Sequence, residues 1–145
     1  MPSRAANPWT FQSIDESLAM LELFPSSQVG LALDLYHVGL SNTFLDRLDE
    51  IADRICLVQI ADRDSKKPGL SGQSRREKRL MPGEGNIDFD RWMASLASVG
   101  YTGPIEFEMH GPRFDDVEYV DTLRNSLGFI EAQRAKQNAG SASRI

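Results

Sequence analysis

Residues 29–37 read Val29-Gly30-Leu31-Ala32-Leu33-Asp34-Leu35-Tyr36-His37. The stretch is almost unbrokenly apolar until Asp34, with His37 three positions later. A run of this kind suits a strand buried on both faces, as in a parallel sheet covered by helices. In such sheets ligands and chemistry gather outside the carboxyl ends of the strands. Two later stretches repeat the pattern. Ile55-Cys56-Leu57-Val58-Gln59-Ile60-Ala61-Asp62 and Pro104-Ile105-Glu106-Phe107-Glu108-Met109-His110 are both apolar runs that end in polar groups.

The segments between these runs carry helical spacing. Ser13 can cap a helix over Ser13 to Leu23, with Glu16 three residues on and Ile14, Leu18 and Leu21 on its apolar face. Phe24-Pro25-Ser26-Ser27-Gln28 stops it. After the first strand, at 29–34, Ser41 or Asn42 can cap a short helix with Phe44, Leu45, Leu48 and Ile51 at helical spacing. A second strand is expected at 55–60. Asp88 can cap a helix whose stripe is Phe89, Trp92, Met93, Leu96 and Val99, and Gly100 ends it. A third strand is expected at 104–108. Asp115 or Asp116 opens a last helix, with Val120, Leu123, Leu127 and Ile130 facing inward. Residues 1–12 read as a lead-in and 133–145 as a frayed polar tail. One domain of class α/β follows, with three parallel strands joined by right-handed crossovers.

Composition narrows the function. The 145 residues carry a net charge of -5, which argues against general nucleic-acid binding. No apolar run approaches the roughly 18 residues of a membrane span. The one cysteine, Cys56, lies in a strand-like run and is expected to be a buried, inert thiol. With no apolar signal core at the amino terminus, a cytoplasmic protein is expected. There is no Gly-x-Ser-x-Gly elbow and no phosphate loop of the Walker type, and Gly83-Glu84-Gly85 is too short for a dinucleotide loop. Residues 61–86 lack periodicity and are locally basic, with Arg63, Lys66, Lys67, Arg75, Arg76, Lys78 and Arg79. A loop this long is usually functional or disordered, and an anion-contacting lid and a solvated insertion both fit it.

Brought together, the strand ends would present Asp34, Gln59 and Glu108, with His37, Asp62 and His110 nearby. Carboxylates and an amide oxygen are hard donors that suit Mg²⁺ or Mn²⁺, and one imidazole nearby leaves Co²⁺ or Zn²⁺ open. Each residue also admits a purely structural role. Asp34 can cap the following turn, Gln59 can satisfy strand-end backbone, Glu108 can pair with Arg113 or a loop arginine, and His37 can be a hydrogen-bonded structural histidine. Glu106 shares a strand face with Glu108 by parity and would sit deeper, beside the ligands or nearer the barrel bottom.

Four stretches together resemble a known family. They are Gly30-Leu31-Ala32-Leu33-Asp34-Leu35-Tyr36-His37, Val58-Gln59-Ile60-Ala61-Asp62, Arg79-Leu80-Met81-Pro82-Gly83-Glu84-Gly85-Asn86-Ile87-Asp88-Phe89, and Gly100-Tyr101-Thr102-Gly103-Pro104-Ile105-Glu106-Phe107-Glu108. In order and spacing they resemble the carboxyl-terminal part of the xylose-isomerase-like TIM-barrel superfamily of sugar phosphate isomerases and epimerases. The resemblance implies a partial TIM barrel whose three parallel strands are equivalent to strands six to eight, with flanking helices. It implies a divalent metal held by Asp34, Gln59 and Glu108, substrate contacts from His37 and Arg79, and Glu108 as a proton-transferring base. The family's usual strand-seven ligand is His where this chain has Gln59, a substitution that 3-dehydroshikimate dehydratases in the family share. The family's strand-five carboxylate has no counterpart here.

Three functions follow as expectations. The first is a divalent-metal-dependent isomerase or epimerase of a small sugar or sugar phosphate, working through an enediolate and incomplete or inactive as this short chain. The second is a lyase of the 3-dehydroshikimate dehydratase kind. The third is a non-catalytic partial-barrel interaction protein. A small sugar-like or hydroxy-keto substrate is the expected partner, with no nucleic acid and no membrane. Open sheet edges lead us to expect an oligomer or a missing amino-terminal half.

Overall fold

The computed structural model describes residues 13–64, 79–109 and 119–142. Its elements are α1 (Ile14–Leu21), β1 (Leu31–Asp34), α2 (Leu35–Val38), α3 (Asn42–Asp46), β2 (Ile55–Ile60), α4 (Phe89–Ser98), β3 (Ile105–Phe107) and α5 (Tyr119–Ala142). The three strands form one open sheet in the order β1-β2-β3, all parallel. This is the three-stranded parallel sheet that the alternating strand and helix patterns predict, and the partial barrel that the family resemblance implies. Two short 3-10 turns, Leu48–Glu50 and Ala52–Arg54, precede β2.

The caps are those written in the sequence. Ser13 Oγ accepts from Glu16 N at 3.1 Å, Ser41 Oγ from Phe44 N at 3.4 Å and Asp88 Oδ1 from Arg91 N at 3.0 Å. Each satisfies a donor that the first helical turn leaves unpaired. Gly100, at φ +77, supplies the left-handed residue that ends α4.

One face of the sheet is covered. Leu33, Val58 and Ile60 pack against Phe44, Leu45, Leu48, Ile51, Phe89, Trp92, Met93 and Leu96 in a single apolar core. Trp92 is 1% exposed, and its indole nitrogen donates to Gly39 O at 2.9 Å, so the largest core side chain leaves no polar atom unsatisfied. Phe129 carries α5 onto this layer through edge-on contacts with Phe89 and Phe107. Arg54 ties down the α1–β1 connection by donating from Nη2 to the carbonyls of Leu21, Phe24 and Val29.

Four expectations change. The segment from Phe44 to Ile51 is not one helix: Arg47 leaves helical geometry at φ -117, ψ 21, and its guanidinium binds Asp15 and Glu50 instead. Cys56 is exposed, not buried: it sits where the β1–β2 register shifts, between the residues that pair with Leu31 and Ala32, and its thiol contacts Leu31 O at 3.2 Å. The inward face of α5 is Ser126, Phe129 and Gln133, whereas Val120, Leu123 and Leu127 are more than half exposed. The same helix continues through Ala142, past the expected tail boundary, with Gln133 buried and donating to Asp90 at 2.8 Å. The lead-in, the basic residues from Lys66 to Lys78, and His110, Arg113, Asp115 and Asp116 lie outside the described residues. Among the described residues no helix is long and apolar enough to cross a membrane.

Candidate functional site

The strand register sets one polar row across the sheet. Asp34 pairs with Gln59, and Gln59 pairs with Glu106. Residues in register on parallel strands share a face, and this row sits at the carboxyl end of β1. Glu108 follows two positions beyond Glu106 on the same parity, anchored by its backbone N–H to Ile60 O at 3.1 Å.

Asp34 divides its two oxygens. Oδ1 accepts from Tyr36 N at 2.9 Å and caps α2. Oδ2 accepts from Arg79 Nη2 at 2.9 Å and lies 3.5 Å from His37 Nε2. The cap reading and the site reading of Asp34 therefore describe different atoms of one carboxylate. Glu108 Oε2 lies 2.8 Å from the same Arg79 nitrogen. Two carboxylate oxygens, one from the end of β1 and one from the residue just past β3, thus converge on one cationic atom.

Gln59 sits beside this pair rather than in it. Its Nε2 donates to Glu106 Oε2 at 3.0 Å. A carboxylate accepts and cannot donate when ionised, so Glu106 fixes which end of the amide is nitrogen and leaves the oxygen, Oε1, as the atom of that side chain able to ligate a cation. The sequence put Glu106 on the right face, but its hydrogen bond to Gln59 follows from the register of β2 against β3, which parity alone does not give.

Arg79 is the hub. It is 5% exposed, and its guanidinium lies over the Tyr36 ring with Cζ 4.5 Å from the centroid, a favourable cation–π placement. Nη2 makes both ion pairs, while Nη1 is buried with no hydrogen-bond partner among the described residues. Arg63 approaches the same ring at 5.9 Å. The sequence points to Arg63 only as one of the basic residues of the 61–86 stretch, and not to Tyr36. The signal for Tyr36 is its place two residues beyond Asp34 at a strand end.

Asp62 explains how Arg79 is held. It is fully buried and accepts four backbone N–H groups: Arg63 and Ile87 at Oδ1, Gly83 and Gly85 at Oδ2. A bridge from Asp62 to Leu80 adds two backbone hydrogen bonds of 2.8 and 3.0 Å. Gly83, at φ +95, makes the turn possible. At Gly85 a Cβ would run into Asp62 Oδ1 and Arg63 O, so the close approach of backbone to carboxylate requires glycine. The Pro-Gly-Glu-Gly turn is thus wrapped on Asp62, and the residue before Leu80 is delivered to the sheet edge.

Among the described residues no three His, Cys, Asp or Glu side chains come together as a metal-holding group. A cation centre here would depend on two carboxylates, Asp34 and Glu108, with the Gln59 amide oxygen as third donor. That donor set fits a hard divalent cation, since all three atoms are oxygens and two are anionic.

Comparison with known proteins agrees with this architecture. The chain is 26% identical over 99 residues to an inosose isomerase of Bacillus licheniformis, covering 68% of this chain and 34% of that protein. It is 33% identical over 95 residues to a ketose 3-epimerase of Arthrobacter globiformis, covering 64% of this chain and 28% of that one. Among solved structures, an IOLI protein with a bound zinc atom superimposes with a TM-score of 0.69 at 19% identity, over 86% of this chain and 44% of the other. The chain therefore spans about a third of the length of these curated relatives and under half of the solved one. The xylose isomerase-like TIM barrel family matches residues 3–133. With three parallel strands in sequential order and this match over most of its length, the chain belongs to the xylose isomerase-like TIM barrel family.

Proposed function

We propose that this chain carries part of a divalent-metal-dependent isomerase or epimerase site for a small sugar or sugar phosphate. The observation that carries the reading is the convergence of Asp34 Oδ2 and Glu108 Oε2 on one cationic nitrogen at the carboxyl edge of the sheet. The kinship with an inosose isomerase and a ketose 3-epimerase supports sugar-type isomerisation chemistry.

In this reading Asp34, Gln59 and Glu108 hold the cation, Mn²⁺ or Mg²⁺ first and Co²⁺ or Zn²⁺ as alternatives. When bound, it supplies Lewis acidity for negative charge developing on substrate oxygens. Glu106 orients the Gln59 amide. Glu108 accepts the proton from the carbon beside the substrate carbonyl. His37, 28% exposed, and the Arg79 guanidinium contact substrate oxygens. Epimerisation needs a second base on the opposite face of the substrate, and the described residues offer Glu108 alone in that role. The 145-residue chain is therefore expected to bind cation and to exchange the substrate proton without completing turnover.

Gln59 also favours a second reading, a lyase of the 3-dehydroshikimate dehydratase kind, in which the same base removes an alpha proton and water leaves. Two experiments test the site. Calorimetric titration with Mn²⁺ should show binding that Asp34→Asn abolishes; equal affinity in both proteins would sink the metal assignment. Incubation with D-allulose or with 3-dehydroshikimate in deuterium oxide, followed by proton NMR, separates the readings. Deuterium entering the ketose favours the isomerase, and formation of an aromatic product favours the lyase. No exchange into either substrate by a cation-loaded chain would count against Glu108 as a base.

A further inference from the structure

We infer that Arg79 and a divalent cation compete for the same two carboxylate oxygens, so that the cation enters by displacing the guanidinium and not by adding to it. The inference rests on the reading of Asp34 and Glu108 as cation ligands and goes beyond it, because it assigns Arg79 a second role in the cation-free state.

The geometry has one occupied point of convergence. Arg79 Nη2 lies 2.9 Å from Asp34 Oδ2 and 2.8 Å from Glu108 Oε2. These are ordinary charge-assisted contacts for a guanidinium. A hard divalent cation takes oxygens at about 2.0–2.2 Å, so it would draw the same two oxygens closer around a smaller ion. The Arg79 nitrogen and the cation would then be positive charges crowded onto one pair of carboxylates. Burial sharpens the conflict, since Arg79 is 5% and Asp34 13% exposed and little water reaches between them. The two occupants exclude each other.

The chain is built to let the side chain leave without moving the backbone. Leu80, the next residue, is bridge-paired to the buried Asp62 through two backbone hydrogen bonds, and Asp62 grips the turn that follows. The Tyr36 ring gives the guanidinium a surface to slide across. Its Nη1 lacks a partner among the described residues, which is costly for a buried donor. An oxygen-rich ligand arriving with the cation would satisfy both nitrogens at once. Cation binding would thus release the group that contacts substrate, and in the cation-free protein the same group keeps two facing carboxylates from repelling each other.

The test is Mn²⁺ calorimetry on the 145-residue chain and on Arg79→Gln, Arg79→Lys and Asp34→Asn. Arg79→Gln should bind Mn²⁺ about tenfold or more tighter than wild type, because the competing charge is gone. Arg79→Lys, which keeps a competing charge, should stay near wild type. Asp34→Asn should lose binding. Binding in Arg79→Gln that is unchanged or weaker, with Asp34→Asn still defective, overturns the competition and leaves the cation site standing. Binding that Asp34→Asn does not alter, or no binding in any of the four proteins, overturns the site assignment and the competition together. Cation binding seen only in Arg79→Gln supports the competition. A measurement on wild type guards against variants that fail to fold. With nitrogen-15-labelled arginine, titration with diamagnetic Mg²⁺ should remove the slowed guanidinium signals of Arg79 at the midpoint of cation binding; persistence of those signals at saturation overturns the proposal.

Discussion

Gln59 donates its amide nitrogen to Glu106 Oε2 at 3.0 Å, across the register that pairs the two residues on β2 and β3. An amide can ligate a hard cation only through its oxygen, and at a strand end it could rotate to present either atom. Glu106 removes that ambiguity. Groups that orient metal ligands in this way typically contribute about 10–100-fold to metal affinity. Glu106→Ala should therefore weaken Mn²⁺ binding by at least about tenfold while leaving the far-ultraviolet circular dichroism unchanged. Titration calorimetry checks it, and an unchanged affinity would mean that the Gln59 amide takes no part in holding the ion.

Charge at the two outer strands should matter more than at the central one. Asp34→Asn removes an anionic donor and breaks the ion pair to Arg79, whereas Gln59→Glu keeps an oxygen donor and adds charge. Mn²⁺ affinity should fall steeply in the first variant and hold or rise in the second. The Asp34 change should also cost cation-free stability, because the buried Arg79 loses a partly buried partner at 2.9 Å. Urea unfolding without metal reads that second effect.

The strands and the helix starts were legible because each is a local pattern. The apolar run ending in Asp34, the Ser13, Ser41 and Asp88 caps, and the Trp92 stripe each lie within one segment of chain. What could not be read depends on contacts distant in sequence. Arg79 is 45 positions from Asp34 in sequence, and its place between two carboxylates follows from the way Asp62 gathers the turn beyond Leu80. The Val120, Leu123 and Leu127 stripe has the right helical spacing, yet the core takes Phe129 from a neighbouring stripe, because Phe89 and Phe107 offer aromatic edges there. Periodicity predicts that a helix has an apolar side. It does not say which side a partial barrel covers.

Gly85 should tolerate no side chain. A methyl group would meet Asp62 Oδ1 and the Arg63 carbonyl, both held by hydrogen bonds that the turn needs. Overpacking of this kind costs about 1–3 kcal/mol. Gly85→Ala should lower the urea midpoint accordingly and loosen Arg79, whereas Gly100→Ala should act through its φ of +77, since among the described residues nothing lies within reach of a Cβ there. A Gly85→Ala variant as stable as wild type would mean that Asp62 does not grip the turn in solution.

The exposed side of α5 predicts self-association. Val120, Leu123 and Leu127 are 57%, 55% and 63% exposed at spacings of three and four, and among the described residues neither outer strand of the sheet has a further strand beside it. Apolar surface and unpaired strand edges of this kind favour contact between chains. Sedimentation velocity should show a mass that rises with concentration, and a Leu123→Lys/Leu127→Lys variant should shift toward monomer. A wild-type chain that stays monomeric at every concentration would show that this surface is tolerated in water.

The docking of α5 onto α4 should weaken in acid for a reason local to Asp90. Lys136 Nζ donates to its carboxylate at 2.7 Å and Gln133 Nε2 at 2.8 Å. These two hydrogen bonds, Lys136 first, hold the Asp90 carboxyl below the usual carboxylate range against a small opposing effect of burial. A carboxyl whose folded pKa is lowered binds its proton less readily in the native chain than in the unfolded one. Its stabilising contribution is complete above the unfolded value, at about pH 4, and disappears as pH falls through the lower folded value. The pair is exposed, with the two side chains 59% and 57% accessible, so the contribution is a few tenths to about 1 kcal/mol. Asp90→Asn should be less stable than wild type by that amount at neutral pH, and the gap should close as pH falls through the lowered folded value. Chemical denaturation from neutral pH down into strong acid, at low salt, reads the difference. A gap that persists unchanged into strong acid would mean that Asp90 supports α5 through packing and not through its charge.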